Sequence, residues 1–334
     1  MNKLIGAVGN LTADQVRDAL LKATAAPSLH NSQPWRFHCT PHAIEVHADR
    51  SHAVPVADPE DRELVLACGA ALLNLRLAIR AAGVHPDVRM LPTRCSPDLL
   101  AVVRPARRGP PTPADVGLAA AIPRRRTNRR PFLPTAVPSS VHNLLRQAAE
   151  AERAWLAIPE RAQLPKVQAL ARQAHQAQLA DANFVAELRH WTGRDLGTPD
   201  GVPVRSSGPR PEPQDEWVLR DFSSGRANSR VAGKDFEPEP LICVLGSFQD
   251  GVYAQLQAGM AMQRVLLAAT VAGLSSSFLS QVIEIPATRK ELRALIGGGL
   301  WPQMLLRIGY GSPVPATPRR PLDEVTSCDS ANRS

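Results

Sequence analysis

Two short polar segments hold the residue types that could do chemistry. The first, residues 27–37, reads PSLHNSQPWRF, and the second, residues 124–132, reads RRRTNRRPF. In the first segment a Pro-Ser pair opens a turn in which Asn31 and Gln33 offer amide donors and acceptors, which suits holding the edge of a flat polar heterocycle. In the second, guanidinium groups stand beside the hydroxyl of Thr127, and this combination can bind a phosphate. Taken alone, the basic segment is equally consistent with a solvated linker.

Together the two segments resemble the signature sequences of the nitroreductase-like flavoproteins. PSLHNSQPW is similar to that family's PS-x-x-N-x-QPW loop, and RRTNRRPF is similar to its R-R-S/T-x-R-x-F opening. A third segment, TPRRPLDEV at residues 317–325, is similar to the family's basic ending R/K-x-P-L-x-E-V. For the two arginines of that ending, a surface charge pair is the alternative interpretation.

The resemblance implies an FMN cofactor and assigns residues to it. In the family the first arginine and the hydroxyl of the opening hold the phosphate, and the later arginine approaches the pyrimidine edge of the flavin. A cation at that edge stabilises the anionic reduced flavin and so raises the reduction potential of the flavin. The loop contacts the flavin from the partner subunit of a dimer. The residues implied for FMN binding are Pro27, Ser28, Leu29, Asn31, Arg125, Arg126, Thr127, Arg129, Arg319 and Arg320. No catalytic residue is assigned.

Two further residues of the loop have a less specific interpretation. Trp35 is expected to pack behind the loop rather than to stack on a ligand. His30 is either a proton donor or, as for most single loop histidines, a solvated side chain.

The motifs are divided between two halves of the chain. Residues 61–83 align with residues 251–273 at a constant offset, which predicts two similar buried helices related by a pseudo-two-fold axis. Similar Ala/Leu-rich composition is the alternative explanation. We predict an α+β fold of two tandem nitroreductase-like α/β/α units, residues 1–115 and 116–334, that form an intramolecular pseudo-dimer.

Each unit lacks the motif that the other supplies. The first has no R-R-S/T opening before its first helix, and in the second residues 151–160 read AERAWLAIPE where a PS-x-x-N-x-QPW loop would follow. One complete FMN site is therefore expected. This arrangement resembles the double-length branch of the nitroreductase-like family, which is typified by the mycobacterial dormancy-associated Acg-like proteins.

A segment of nearly 50 residues, 193–240, is rich in Gly, Pro and Ser. Such a segment is either a disordered insertion or a functional lid. Trp191, Trp217, Phe222 and Phe236 provide anchors that favour the lid.

Local patterns predict the regular elements that position these motifs. Thr12 and Gln15 form a capping box for a helix that ends before Pro27. Other helices are expected at 60–83, from 116 to 122, at 139–150 and at 251–273, strands at 43–48, 99–105, 240–248 and 304–311, and a linker at 107–115.

Composition sets wider limits. The 334 residues are 44% hydrophobic and carry a net charge of +8. The one dense basic cluster has no interleaved aromatic residues, so a nucleic-acid partner is not favoured. The five cysteines have no spacing typical of a metal site or a disulfide framework, and Cys68 and Cys243 are expected to be inert core thiols. No membrane span, metal or signal peptide is predicted, and a cytoplasmic monomer is expected.

Two functions from different classes are consistent with these features. The first is an FMN-dependent oxidoreductase that uses NAD(P)H to reduce nitro compounds or quinones. The second is an FMN storage protein in which the lid closes the flavin site and turnover is weak or absent. The residues do not identify an electron acceptor.

Overall fold

The computed structural model describes residues 5–195, 197–212, 215–226 and 240–329. These residues form a mixed α+β fold. The helices are α1 Ala13–Thr24, α2 Arg62–Ala81, α3 Pro113–Ala121, α4 Ser139–Glu150, α5 Leu164–Ala180, α6 Ala182–Trp191, α7 Val252–Val271, α8 Gln281–Glu284, α9 Pro286–Leu295 and α10 Leu322–Val325. The strands are β1 Trp35–Cys39, β2 Ile44–Ala48, β3 Val84–Met90, β4 Leu99–Arg108, β5 Trp155–Ala157, β6 Thr192–Arg194, β7 Val202–Pro203, β8 Leu241–Ser247, β9 Ser275–Phe278, β10 Trp301–Gly309 and β11 Thr326–Cys328.

The strands form two main sheets. The first has the order β11-β1-β2-β4-β3, with β11 parallel to β1 and the other neighbours antiparallel. The second is antiparallel and has the order β5-β8-β10-β9. Strand β11 comes from the end of the chain, so the C-terminal tail completes the sheet that the N-terminal residues begin.

Helices α2 and α7 pack against each other at the centre of the largest hydrophobic core. Two glycines permit this close approach. A Cβ on Gly69 would overlap the carbonyl oxygen of Leu256, and a Cβ on Gly259 would overlap that of Leu66. Farther along the same interface, the buried Gln263 donates from Nε2 to Oδ1 of Asn74 at 2.8 Å.

The predicted helices and strands that rest on local patterns are confirmed. The Thr12–Gln15 capping box is present at α1, and both long apolar helices end at a glycine with a left-handed backbone, Gly83 and Gly273. The predicted linker at 107–115 is wrong, because β4 continues to Arg108 and α3 already begins at Pro113.

The sequence predicted no membrane span, but one helix among the described residues has the length and composition of such a span. Helix α2 is long and apolar enough to cross a membrane, but 83% of its apolar window is buried inside the fold. This is the environment of a core helix, as the sequence predicted for residues 60–83.

Candidate functional site

The motif loop, residues 27–34, forms a tight turn between α1 and β1. His30, Asn31 and Gln33 all have positive φ angles, between 50° and 60°. Such a conformation is uncommon for residues other than glycine and persists only where surrounding contacts hold it. One of these contacts is internal, because the hydroxyl oxygen of Ser28 accepts a hydrogen bond from the Gln33 backbone N–H at 2.9 Å.

The C-terminal tail holds the loop from one side. Arg319 donates to Oδ1 of Asn31 at 2.9 Å and to the carbonyl oxygens of Thr24, Ala25 and Ala26 at the end of α1. Those carbonyls have no further helical partner, and a cation is favourable at this end of a helix.

Arg320 holds the same loop through a different partner. Its guanidinium donates to the Gln33 carbonyl at 3.2 Å and forms an ion pair with the buried Asp49 at 3.0 Å. Burial alone would raise the pKa of Asp49, but hydrogen bonds from His52, Ser51, Arg36 and Arg320 hold it well below its usual range. The carboxylate therefore stays charged and anchors the tail.

Described residues of the segment 193–240, called the insertion from here on, hold the loop from the other side. Nδ2 of Asn31 donates to the carbonyl oxygen of Gly201 at 2.9 Å, and Nε2 of Gln33 donates to that of Pro199 at 2.9 Å. The two amides that the sequence offered as ligand donors thus connect the loop to residues far along the chain.

Arg125 lies directly after α3, and its backbone N–H still donates to the Ala121 carbonyl at 2.9 Å. Its side chain is buried, at 4% exposure, yet Nη1 makes a single long contact of 3.5 Å with the hydroxyl of Thr127, and Nε has no partner. Burial, with the nearby charges of Arg319, Arg126 and Arg129, lowers the pKa of Arg125 to about 9. Within the described parts of the chain, no carboxylate compensates this cation.

Arg129 is a second, half-buried cation near Arg125. It donates to the carbonyl oxygen of Ser206 at 3.0 Å, and its guanidinium lies 4.5 Å from the centre of the Phe222 ring. Burial and the charge of Arg220 lower the pKa of Arg129 to about 10.

Between these elements lies a cleft whose empty space, counted to its open mouth, is about 590 Å³. Residues of α2, α7, β9 and β10 form the apolar wall. The motif loop and the basic segment 124–132 form the polar wall. Its lining residues are Pro27, Ser28, Leu29, His30, Glu63, Leu66, Ala67, Thr127, Arg129, Arg220, Phe222, Met262, Ser277, Phe278, Ser280 and Met304.

Two acids interact electrostatically near the cleft: Glu63 lines it, and the charge of Glu284 acts on Glu63. Glu63 is buried beside Arg62, at 2.9 Å, and Glu284 is buried beside Arg220, at 2.8 Å. For Glu63, burial and the negative charge of Glu284 outweigh the attraction of Arg62 and raise the pKa to about 8. For Glu284, burial acts in the same direction, but the charge of Arg220 together with hydrogen bonds from Ser280 and Arg220 outweighs it and lowers the pKa. Near neutral pH, therefore, one carboxyl of the pair is protonated and the other is charged.

His30 lines the same cleft. It is 3% exposed, and neither ring nitrogen has a hydrogen-bond partner within the described structure. Burial, followed by the charge of Arg220, lowers its pKa to about 3, so the ring is neutral. The interpretation of His30 as a solvated loop side chain is therefore wrong.

The structure brings half of the predicted site residues to the cleft: Pro27, Ser28, Leu29, Thr127 and Arg129. Arg125 lies behind Thr127. Arg126 donates to the carbonyls of Pro123 and Arg125. Asn31, Arg319 and Arg320 take part in the contacts, described above, that connect the motif loop to the tail. Their assignment to FMN stays a prediction. Trp35 is fully buried and does not line the cleft, as expected for a packing residue.

Sequence reasoning missed Glu63, Arg220 and Glu284. Glu63 had one available signal, since it is an acid at the start of a helix that is otherwise almost entirely apolar. Arg220 lies between the aromatic anchors Trp217 and Phe222 of the insertion, both of which contact the folded core or the cleft. Phe236, the last of the predicted anchors, lies outside the described residues.

Comparison with known proteins finds relatives that align with this chain over most of both lengths. No family model matches it. "Putative NAD(P)H nitroreductase Rv3131" of Mycobacterium tuberculosis is 36% identical over 321 residues, which cover 94% of this chain and 91% of that protein. "Putative NAD(P)H nitroreductase acg" of the same organism is 33% identical over 324 residues, which cover 94% and 96%.

Solved structures resemble the fold more distantly. A nitroreductase with bound FMN from Desulfitobacterium hafniense has 14% identity and a TM-score of 0.40, over 61% of this chain and 94% of that one. A protein of Anabaena variabilis, described as a "putative nitroreductase", has 11% identity and a TM-score of 0.47, over 89% and 88%. On the evidence of the two mycobacterial relatives, the chain belongs to the nitroreductase-like family, in its double-length Acg-like branch.

Proposed function

We propose that the chain binds one FMN in the cleft and acts as an NAD(P)H-dependent oxidoreductase of nitro compounds or quinones. The observation that carries the proposal is Arg125, a buried guanidinium with one long hydrogen bond and no carboxylate partner among the described residues. Burying an uncompensated charge is costly, so a buried cation normally has an anion beside it. A phosphate group would supply that anion.

The residues present fit FMN. Thr127 extends from Arg125 to the cleft and offers a hydroxyl, so the two side chains together provide a phosphate-binding pair. The other wall of the cleft is formed by Leu66, Met262 and Met304, which suit a flat aromatic ring. Pro27, Ser28 and Leu29 border the same space from the motif loop.

FMN, when bound, supplies the transfer of hydride from a nicotinamide to an acceptor. The chain contributes orientation and charge. The fixed loop would set the position of the ligand, since contacts with both the tail and the insertion hold it. Arg129 places a positive charge in the cleft, and the protonated Glu63 offers a proton-donating group without adding negative charge.

We further propose that the site arises from an intramolecular pseudo-dimer. The reciprocal contacts of Gly69 with Leu256 and of Gly259 with Leu66 support it, because a two-fold axis pairs residues in this way. On this proposal the loop comes from one unit and Arg125 to Arg129 from the other, so a monomeric chain holds a complete site. A cytoplasmic location, where NAD(P)H is available, completes the proposal.

The phosphate assignment has a direct test. Arg125→Ala should weaken FMN binding at least about tenfold, because one charge-assisted contact contributes about 1.5–3 kcal/mol. The affinity of this variant for riboflavin, which lacks the phosphate, should differ little from that of the unaltered protein. The matched control is Arg124→Ala, which removes an exposed arginine from the neighbouring position. Equal affinity of the unaltered protein for FMN and riboflavin would contradict the phosphate assignment.

FMN storage is a second candidate, and the position of Phe222 favours it. This residue of the insertion lines the cleft and lies against Arg129, while Gly201 and Pro199 of the same insertion bind the motif loop. Hydride transfer needs the nicotinamide within about 3–3.5 Å of the flavin, so an insertion over the ring would exclude it.

Phe222→Ala separates the two candidates. For a storage protein, the variant should release FMN faster and be reduced faster by NADPH under anaerobic conditions, as followed by flavin absorbance. For an oxidoreductase with an open site, the unaltered protein should already be reduced rapidly, and Phe222→Ala should change neither rate.

A further inference from the structure

Two cysteines face each other where the C-terminal tail joins the first sheet. In the parallel pairing of β1 with β11, Cys39 is directly opposite Cys328. Neighbouring strands lie about 4.8 Å apart, and Cα atoms joined by a disulfide lie about 4.4–6.8 Å apart. Directly paired residues of parallel strands also project to the same face of the sheet, so the two thiols are neighbours. Both are free thiols in this structure.

The register of this pair is fixed from the opposite face of the sheet. His38 contacts the residues on both sides of Cys328, through Nδ1 to the hydroxyl of Ser327 at 2.9 Å and through Nε2 to Oδ1 of Asp329 at 3.0 Å. The Asp329 backbone N–H also donates to the Cys39 carbonyl at 3.0 Å. These contacts hold the edge strand β11 so that Cys328 stays opposite Cys39.

We propose that Cys39 and Cys328 form a redox-active pair that hydroperoxides oxidise to a disulfide. The partly exposed Cys328 reacts first: its thiolate sulfur attacks a peroxide oxygen, an S–O bond forms, the O–O bond breaks, and hydroxide leaves and becomes water with the proton that the Cys328 thiol released on ionising. The Cys39 sulfur then attacks the Cys328 sulfenic acid, an S–S bond forms, the S–O bond breaks, and water leaves with the Cys39 proton. Two thiols lose two electrons, and hydrogen peroxide is reduced to two water molecules.

The order of the two steps follows from the environments of the thiols. Cys39 is 4% exposed, and burial, together with the charge of and hydrogen bond to Cys328, raises its pKa to about 12. It therefore carries little thiolate and is a poor first nucleophile. As the second thiol, it needs only to reach a sulfur that is already beside it.

The disulfide would fasten the tail to the sheet. Strand β11 follows α10 directly, and α10 follows Arg319 and Arg320, which hold the motif loop. Oxidation at Cys328 would therefore restrict detachment of the segment that fixes the cleft. This effect does not depend on FMN, so it can be measured in the FMN-free protein.

The test uses the full chain with Cys95→Ser, which removes the exposed cysteine and leaves four. After brief treatment with hydrogen peroxide, the thiols counted in denaturant should fall from four to two. Peptide mapping should show the Cys39–Cys328 link, and hydrogen exchange across residues 319–329 should slow. Adding Cys328→Ser should leave the remaining three thiols unchanged. Adding Cys39→Ser should instead let dimedone, which traps sulfenic acids, label Cys328.

Four thiols remaining after treatment, or a link that maps to another pair or between two chains, would overturn the proposal. Dimedone labelling of Cys39 rather than Cys328, in the Cys95→Ser protein that keeps both cysteines, would also overturn it. The mapping needs no variant of the pair itself, so poor folding of Cys39→Ser would not weaken the conclusion.

Discussion

Arg319 donates a 2.9 Å hydrogen bond to Oδ1 of Asn31 across 288 residues of chain. The same guanidinium binds the carbonyl oxygens of Thr24, Ala25 and Ala26, so its donors are used by the protein itself. The family resemblance assigns Arg319 to the phosphate, whereas these contacts indicate a positioning residue that ties the motif loop and the end of α1 to the tail.

Replacing Arg319 should separate these two roles. Arg319→Ala removes several charge-assisted hydrogen bonds and should lower the free energy of unfolding by about 2–4 kcal/mol, measured by urea denaturation. If the residue acts by holding the loop, FMN and riboflavin should both bind more weakly, and by similar factors. Arg124→Ala, the exposed control, should change stability by less than about 0.5 kcal/mol.

A different pattern would restore the phosphate role. Selective loss of FMN binding, with riboflavin binding and unfolding unchanged, would mean that Arg319 reaches the ligand and that its contacts in this structure are secondary.

The parts of the fold that follow from local sequence were predictable. The capping box of Thr12 and Gln15 and the apolar runs of α2 and α7 determine helices with little help from the rest of the chain. Strand β9 was not predicted, because its residues, SSSF, have no apolar alternation and become a strand through pairing with β10.

The site was predictable to the extent that its residues are adjacent in sequence. Ser28 and Thr127 belong to continuous motifs and reach the cleft. Glu63, Arg220 and Glu284 come from α2, the insertion and α8, and only the tertiary fold brings them together, so no spacing in the sequence could indicate the acidic pair. The buried, neutral state of His30 likewise depends on neighbours remote from the loop.

The close approach of α2 and α7 should not tolerate a side chain at either glycine. Gly69→Ala and Gly259→Ala should each destabilise the protein by at least about 2 kcal/mol, because the added methyl group would overlap a backbone carbonyl that cannot move alone. The matched control is Gly117→Ala in α3, where nothing lies within 4 Å of the added carbon. This control should stabilise the helix by about 0.5–1 kcal/mol. Thermal or urea unfolding measures all three, and similar effects at the three positions would contradict the interface.

The division of the motifs should limit the chain to one FMN. The segment AERAWLAIPE, which occupies the position of a second motif loop, instead contributes strand β5, paired with β8. A titration of FMN-free protein, followed by flavin fluorescence, should therefore saturate at one FMN per chain, and size-exclusion chromatography should show a monomer before and after binding. Saturation at two, or binding only by a dimer of chains, would contradict the pseudo-dimer.

The acidic pair should give the protein a specific dependence of stability on pH. Folded Glu63 keeps its proton up to pH about 8, whereas a glutamate in the unfolded chain loses it near pH 4.5. Between these values the folded state binds more protons, so the free energy of unfolding must fall as the pH rises. His30 acts in the opposite direction, because its pKa of about 3 in the folded state lies below the 6.5 of the unfolded chain. Its contribution changes only below about pH 6.5.

Between pH 6.5 and 8, therefore, Glu63 contributes to the change in the free energy of unfolding and His30 does not. Over this range the unaltered protein should lose about 1–2 kcal/mol of stability, since one proton corresponds to about 1.4 kcal/mol per pH unit. Glu63→Gln, which keeps the shape of the protonated acid but cannot ionise, should show a flatter profile and be the more stable protein at pH 8. Glu150→Gln, at an exposed position at the end of α4, should follow the unaltered profile. Urea unfolding at four or five pH values measures the slopes. If Glu63→Gln kept the slope of the unaltered protein, Glu63 would be charged in the folded state, and the ion pair with Arg62 would outweigh its burial beside Glu284.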